Sequence, residues 1–291
     1  MSLRRPIFIA HHANDKERCL TRLTEKLVLE MYSEGETLVG ADLQGLNLNR
    51  TVMPGIDLSN ADLRGANFRG ANISGSLLKN VQTSEGNFAE VNLRESDLSN
   101  SDLSDTYMME ARLYGVNMAN SDLTAANLSG AYMTGGVDLS NASMVSVNLR
   151  GADLSGANLR SVDLTMAFMR SVKLVGADMS RANLTSVSLN GSDMRRADLS
   201  GTIMRETILN SSMMEECRLD SADLTRASLR RCILKGASLQ MAKLNEAVLI
   251  AADFQGCDLT LADFTGSDMR GAFLFGANLS WTDLTDTDFD K

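Results

Sequence analysis

A large apolar residue recurs at every fifth position along most of the chain. A small residue stands two places before it, and the other positions are polar. The segments ADLQG (41–45), ADLRG (61–65), ANFRG (66–70), ADLSG (152–156), ANLRS (157–161) and ADFTG (262–266) are copies of one template. With the large apolar residue called i, centres run from Leu38 to Met133 and again from Leu139 to Phe289. These are twenty units and then thirty-one, and every centre except Thr83 is Leu, Met, Ile or Phe. Position i−2 is small, i−1 is mostly Asp or Asn, and i+1 and i+2 are mainly Ser, Thr, Arg, Asn and Gly. Such a period fits neither the roughly 3.6 of a helix nor the roughly 2 of an open strand. It predicts a solenoid, in which each unit is too small to bury its own core and stacked neighbours bury it together.

Two inward positions per unit, one large and one small, fill a narrow tube. The three outward positions are polar, and Asn, Asp, Gly and Ser there favour turns. Each unit is thus one short side of a coil with a corner at each end. Proline would remove hydrogen bonds between coils, and the chain has only Pro6 and Pro54. The spacing between Met133 and Leu139 is six rather than five, at Thr134-Gly135-Gly136. An extra residue beside two glycines reads as a bulge or corner insertion. Residues 1–36 fall outside the repeat. Asn14 or Asp15 is expected to cap a helix running to about Tyr32, with Leu20, Leu23, Leu27, Val28 and Met31 as its apolar stripe. Ile7, Phe8 and Ile9 suggest a short preceding strand. This segment is expected to close one mouth of the solenoid, dividing the chain into a cap (1–36) and a repeat region (37–291).

The A-(D/N)-(L/F)-x-x template resembles the pentapeptide repeat family over about residues 37–291. The resemblance implies an all-β solenoid, a right-handed quadrilateral β-helix with four units per coil. Fifty-one units would make about thirteen coils, a rod roughly 60 Å long at a strand spacing of ~4.8 Å. It also implies possible functions. Some members mimic duplex DNA and bind DNA gyrase, giving quinolone resistance, and others act as bacterial effectors or developmental regulators. The gyrase-binding members look Phe-rich at i and dimerise through a C-terminal helix. This chain uses Leu and Met and shows no such helix pattern.

Composition narrows the chemistry. Net charge is −9, which disfavours direct nucleic-acid binding. No apolar run reaches the roughly 18 residues of a membrane span. The start lacks a cleavable leader pattern, so a cytoplasmic location is expected. His11 and His12 are adjacent and lack metal-pair spacing. No nucleotide-binding or nucleophile motif appears. A tube packed with Leu and Ala offers no pocket, so no enzyme activity, cofactor or metal is expected. Cys217, Cys232 and Cys257 occupy i−2 and are read as small core residues, as is Cys19 within the expected helix.

Function is therefore sought where outward positions break the pattern. One i−1 column reads Asp42, Asp62, Gln82, Asp102, Asp122. Residues 81–140 carry net −7, with Glu85, Glu90, Glu95, Asp105 and Glu110 among the acids, residues 141–251 net +3, and residues 252–291 net −6. Set against B-DNA's one charge per ~1.7 Å, the whole rod is some fourfold weaker, and only the block at 81–140 approaches it. Apolar exceptions at i−1 include Phe168, Ile203, Ile208, Met213, Ile233 and Val248, a candidate partner surface. Phe254 and Phe264 lie in the last coils with Phe273, Phe275, Trp281 and Phe289. These aromatics are expected either to plug the tube or to join two rods end to end as a homodimer. The leading expectation is a protein-interaction scaffold of unknown partner. The alternative is a gyrase-binding DNA mimic.

Overall fold

A computed structural model describes residues 23–290. Parallel one-residue bridges join positions twenty apart, beginning at Asp42↔Asp62 and ending at Asp268↔Asp288. Four five-residue sides therefore make one coil, and the chain is a β-solenoid. Two hydrogen bonds per side hold successive coils together, as in Asp62 N–H to Ala41 O (2.9 Å) and Leu63 N–H to Gln82 O (2.7 Å). The corner adds a third, Gly65 N–H to Ser84 O (2.9 Å). Within each corner the next small residue closes a four-residue turn, as when Ala66 N–H donates to Leu63 O at 2.9 Å.

The i−1 aspartates and asparagines serve this turn directly. Their Oδ1 accepts the backbone N–H two residues on, as at Ser59 to Asp57 (2.9 Å) and Thr165 to Asp163 (3.0 Å). That local acceptor is why Asp and Asn recur there. Position i+2 takes the left-handed conformation, which glycine and asparagine adopt at least cost. Many corners nevertheless hold other residues, including Glu85, Glu90, Glu95, Asp105 and Glu110.

The extra residue is absorbed in one coil. Bridges there span twenty-one positions, from Asn117↔Asp138 to Tyr132↔Asp153, and return to twenty at Asp138↔Asn158. The side-chain pattern resumes unbroken, because the insertion sits in a corner and not on a side.

The centres form one apolar column, fully buried from Leu43 to Phe264. Thr83, the exception, bonds its hydroxyl to that of Thr106 at 2.6 Å. Beside it Gly86 takes the small position. A Cβ built on Gly86 would stand 2.6 Å from Thr83 O and 2.8 Å from the Phe88 ring. Phe88 stacks on Phe68 with centroids 4.9 Å apart. The volume missing at Thr83 and Gly86 is thus recovered by two phenyl rings.

The helix α1 is Glu25–Glu34, a correction to the expected start at Asn14 or Asp15. Thr24 is extended and its side chain accepts Leu27 N–H at 3.3 Å, making it the N-cap, while Gly35 ends the helix with φ 72°. The sequence hid this start because Thr24 has no Glu or Gln three residues later. Val28 and Met31 are buried in the same apolar cluster as Leu38 and Leu43, with Leu23 and Leu27 packed against it. The Tyr32 hydroxyl donates to Pro54 O at 2.8 Å. Residues Ile7–Ile9, His11, His12, Asn14, Asp15, Cys19 and Leu20 lie outside the described residues.

The three described thiols behave as the small core residues they replace. Cys217, Cys232 and Cys257 each donate Sγ–H to a centre's carbonyl one coil back, at Met194, Leu209 and Leu234. Serine and threonine at the same position do likewise, as Ser212 does to Leu189 O. Burial pushes Cys217 and Cys232 up to about 12 and Cys257 to about 11. Since the thiolate is the reactive form, a Cys19→Ser variant at pH 8 is expected to take up no aromatic-disulfide reagent until denatured. Prompt labelling of the native variant would contradict this packing.

Candidate partner-binding surface

The expected surface residues distribute unevenly around the rod. Asp42, Asp62, Gln82, Asp102 and Asp122 do form one ladder. Each of the four carboxylates also accepts its own turn's N–H, as Asp122 does from Thr124 at 2.9 Å. Asp62 is further gripped by Arg64 through two contacts of 2.9 and 2.6 Å. Burial works to raise the Asp62 pKa, but the hydrogen bonds from Arg64 outweigh it and hold the carboxyl below its usual range. The acids of 81–140 spread over every side of the coil. Glu85 and Asp105 share one corner, Glu90 and Glu110 the next, and Glu95 another, while Asp97 lies on a different ladder from Asp102. Glu90 pairs with Arg69 at 2.7 Å and Asp97 with Lys79 at 3.1 Å.

Ile203, Ile208 and Met213 share a coil but occupy three separate ladders. Ile233 stands directly beyond Met213. Phe168, Ile208 and Val248 do share a ladder, with Ser188 and Ser228 between them. Phe168 is exposed and lies beneath the Arg150 guanidinium at 5.1 Å. Of the C-terminal aromatics, Phe254 and Phe264 are buried and meet edge to face at 6.0 Å. Phe273, Phe275 and Trp281 are exposed at outward positions, and Phe289 is the last centre, also exposed.

The surface has one feature that the sequence reading missed. A depression of about 550 Å³ is lined by Arg50, Asn72, Glu90, Asn92, Arg112 and Tyr132 among others. A neighbouring one of about 320 Å³ is lined by Arg94, Arg112, Tyr114, Tyr132 and Thr134. The floor is the ladder Asn72, Asn92, Arg112, Tyr132. It is concave because asparagine side chains and the bare Gly70 corner stand below the long residues around them. Arg94 stacks over the Tyr114 ring at 5.0 Å. Arg50, Arg94 and Arg112 form no ion pair among the described residues. The inserted corner supports this groove. A Cβ on Gly135 would lie 2.3 Å from the Tyr114 ring, and its φ is 76°. Only glycine there lets the ring lie flat on the backbone. The available signal was tyrosine itself: three of the chain's four fall at 107, 114 and 132, next to the insertion.

Chemically, exposed tyrosine and arginine suit a protein contact, since both are enriched in interface cores. Among the described residues no group of His, Cys, Asp and Glu could hold a metal ion. None of the described helices is long and apolar enough to cross a membrane.

A match to one family model fits this architecture. The family model described as pentapeptide repeats matches eight times, starting at 38–80 and ending at 252–290. Among solved structures, one similar chain is HetL of the cyanobacterium Nostoc sp. strain PCC 7120, described as involved in heterocyst differentiation regulation. It is 25% identical, with 92% of this chain and 97% of that one covered and a TM-score of 0.27. QnrB1, a plasmid-mediated fluoroquinolone resistance protein, is 16% identical over 86% of this chain and 92% of its own, with a TM-score of 0.34. A pentapeptide repeat protein of the Arabidopsis thaliana thylakoid lumen is 29% identical over 45% and 69%, with a TM-score of 0.18. Superpositions this partial carry no functional argument. The comparison with curated proteins returned no match.

Proposed function

This chain belongs to the pentapeptide repeat family, and on that premise we propose that it is a non-enzymatic scaffold that binds a protein partner. The observation carrying this reading is the groove of Tyr114, Tyr132, Arg94 and Arg112, held open by the inserted Gly135. The finer fold belongs to the same reading: a right-handed rod of about thirteen coils whose N-terminal mouth is covered by α1. Aromatic rings, and arginines without ion partners among the described residues, are groups that gain when a second surface desolvates them. The DNA-mimic alternative has less support. A mimic needs aligned rows of free charge, whereas the acids of 81–140 surround the coil and two of them, Glu90 and Asp97, are already paired.

The test is capture from the native host by immobilised protein. Wild type is expected to retain a partner that Tyr132→Ala and Gly135→Ala lose, the latter because the new Cβ displaces Tyr114. Each variant should unfold within about 2 kcal/mol of wild type, the residual loss at Gly135 being its left-handed backbone. Equal capture by all three proteins would remove the groove from consideration. Absence of any captured protein would count against the scaffold reading as a whole.

A further inference from the structure

One corner of the solenoid changes character along its length. In the first coils its left-handed position is held by Asn60, Asn80, Asn100 and Asn120, and Asn80 donates to Asn60 at 3.2 Å. In the last coils the same corner holds Met241, Leu261 and Trp281, with φ of 58°, 59° and 61°. They stand one above another: Met241 N–H donates to Thr260 O at 2.9 Å and Leu261 N–H to Ser280 O at 3.0 Å. Their exposures are 59%, 54% and 83%. Among the other described left-handed corners only Met166 is a large apolar residue.

These three side chains are unfavourable twice over. A left-handed backbone disfavours any residue with a Cβ, and least so asparagine. Exposure of a contiguous apolar row adds a second cost. The fold has ready alternatives, since Gly, Asn and Ser fill equivalent corners elsewhere. Other non-glycine residues hold the same left-handed corner elsewhere, so what singles these three out is their exposed apolar surface, a pointer to a contact. Charge identifies the complement. Asp258 stands on the side before this corner. Asp263 and Asp283 face each other in the ladder after it. Lys243, whose charge acts on Asp263, offsets part of that field.

We propose that the Met241–Leu261–Trp281 corner is a docking ridge for a basic amphipathic helix of a protein partner. The inference rests on the scaffold reading and deepens it, placing a second contact away from the Tyr132 groove. Ridge residues recur at about the 4.8 Å coil spacing, close to the ~5.4 Å rise of one helical turn. Successive apolar residues on one helix face therefore meet successive ridge residues. Lysines or arginines flanking that face meet Asp258, Asp263 and Asp283.

The probe is a fluorescent amphipathic peptide about five turns long, built of leucine and lysine. Its controls replace all leucines by serine, or all lysines by glutamate. Wild-type protein is expected to bind the leucine–lysine peptide roughly tenfold more tightly, about 1.4 kcal/mol, than either control. The double variant Met241→Asn/Leu261→Asn should lose that preference while its melting temperature stays level or rises, because asparagine tolerates the corner better. Equal binding by wild type and variant would overturn the proposal. So would equal binding of the serine control, which would reduce the effect to bulk charge attraction. Sedimentation that shows a dimer lost in the variant would make a second copy the occupant, and would also overturn it. Capture of a partner through the Tyr132 groove that survives a negative peptide result would leave the scaffold reading standing without the ridge.

Discussion

Truncating Phe88 to alanine is expected to destabilise the protein by about 3–5 kcal/mol, one of the two largest single effects foreseen. The ring is fully buried, stacks on Phe68, and fills space left by Thr83 and Gly86. None of those neighbours can reach into the vacancy, so the cavity would persist. Gly86→Ala approaches the same site from the opposite direction. Its Cβ would clash with a backbone carbonyl and with the ring, at about 1–3 kcal/mol for overpacking. In a Phe88→Leu background the ring clash disappears and only the carbonyl remains. The second substitution should therefore cost less there than in wild type, a coupling readable by a double-mutant cycle. Urea unfolding followed by far-ultraviolet circular dichroism measures the loss. Trp281, the only tryptophan, sits some ten coils away and reports the distal end. Because each coil of a solenoid contacts only its neighbours, its fluorescence transition should shift less than the dichroism signal. Strict additivity of the two substitutions would refute the packing account.

Acid is expected to have the second large effect. Nine aspartates at i−1 have carboxyls held below their usual range: Asp62, Asp97, Asp178, Asp193, Asp223, Asp258, Asp263, Asp268 and Asp283. At Asp193 and Asp268 the leading cause is the arginine two residues on. Arg195 and Arg270 each give two contacts of 2.6–2.8 Å. At Asp258 and Asp283 the neighbouring threonine hydroxyl leads. At the others burial opposes, and hydrogen bonds overcome it. A carboxyl whose folded pKa is depressed contributes stability above its unfolded pKa and loses it as pH falls towards the folded value. Unfolded chains then bind more protons than folded ones. The urea midpoint should hold steady near neutral pH and fall steadily from about pH 5 towards pH 2. Asn at i−1 keeps the same turn acceptor, as Asn67 does for Arg69 N–H at 3.1 Å. Asp193→Asn is therefore expected to shrink the acid-sensitive part while leaving the fold intact. A midpoint that stays flat down to pH 3 would sink the linkage argument.

Much of the rod was legible because its interactions are local and repeated. A buried Leu, a small neighbour and an Asp that closes its own turn recur at fixed spacing, so each unit announces its own conformation. The cysteines were legible for the same reason, since i−2 is an inward position wherever it occurs. Surface function was harder to see. The corner at i+2 tolerates glutamate, arginine and tryptophan alike, so identity there carries no structural signal. Ile203, Ile208 and Met213 are neighbours in sequence spacing and point to three sides of the coil, because each five-residue step turns one corner. Met241, Leu261 and Trp281 are twenty apart and share one corner, which only the coil length reveals.

The sequence by itself determined the solenoid, its core columns, its turn chemistry and the place of the extra residue, since all of these follow from a five-residue period and the need to bury one large and one small side chain per unit. Tertiary structure decided which outward residues meet. That depends on the twenty-residue coil, which stacks distant positions and separates close ones. It also depends on small local vacancies: Gly135 accepts the Tyr114 ring, Gly86 accepts Phe88, and the short Asn72 and Asn92 side chains open a groove beneath Tyr132 and Arg112. Those vacancies belong to no single repeat, because each is made by one residue's absence of atoms and another's reach across the coil.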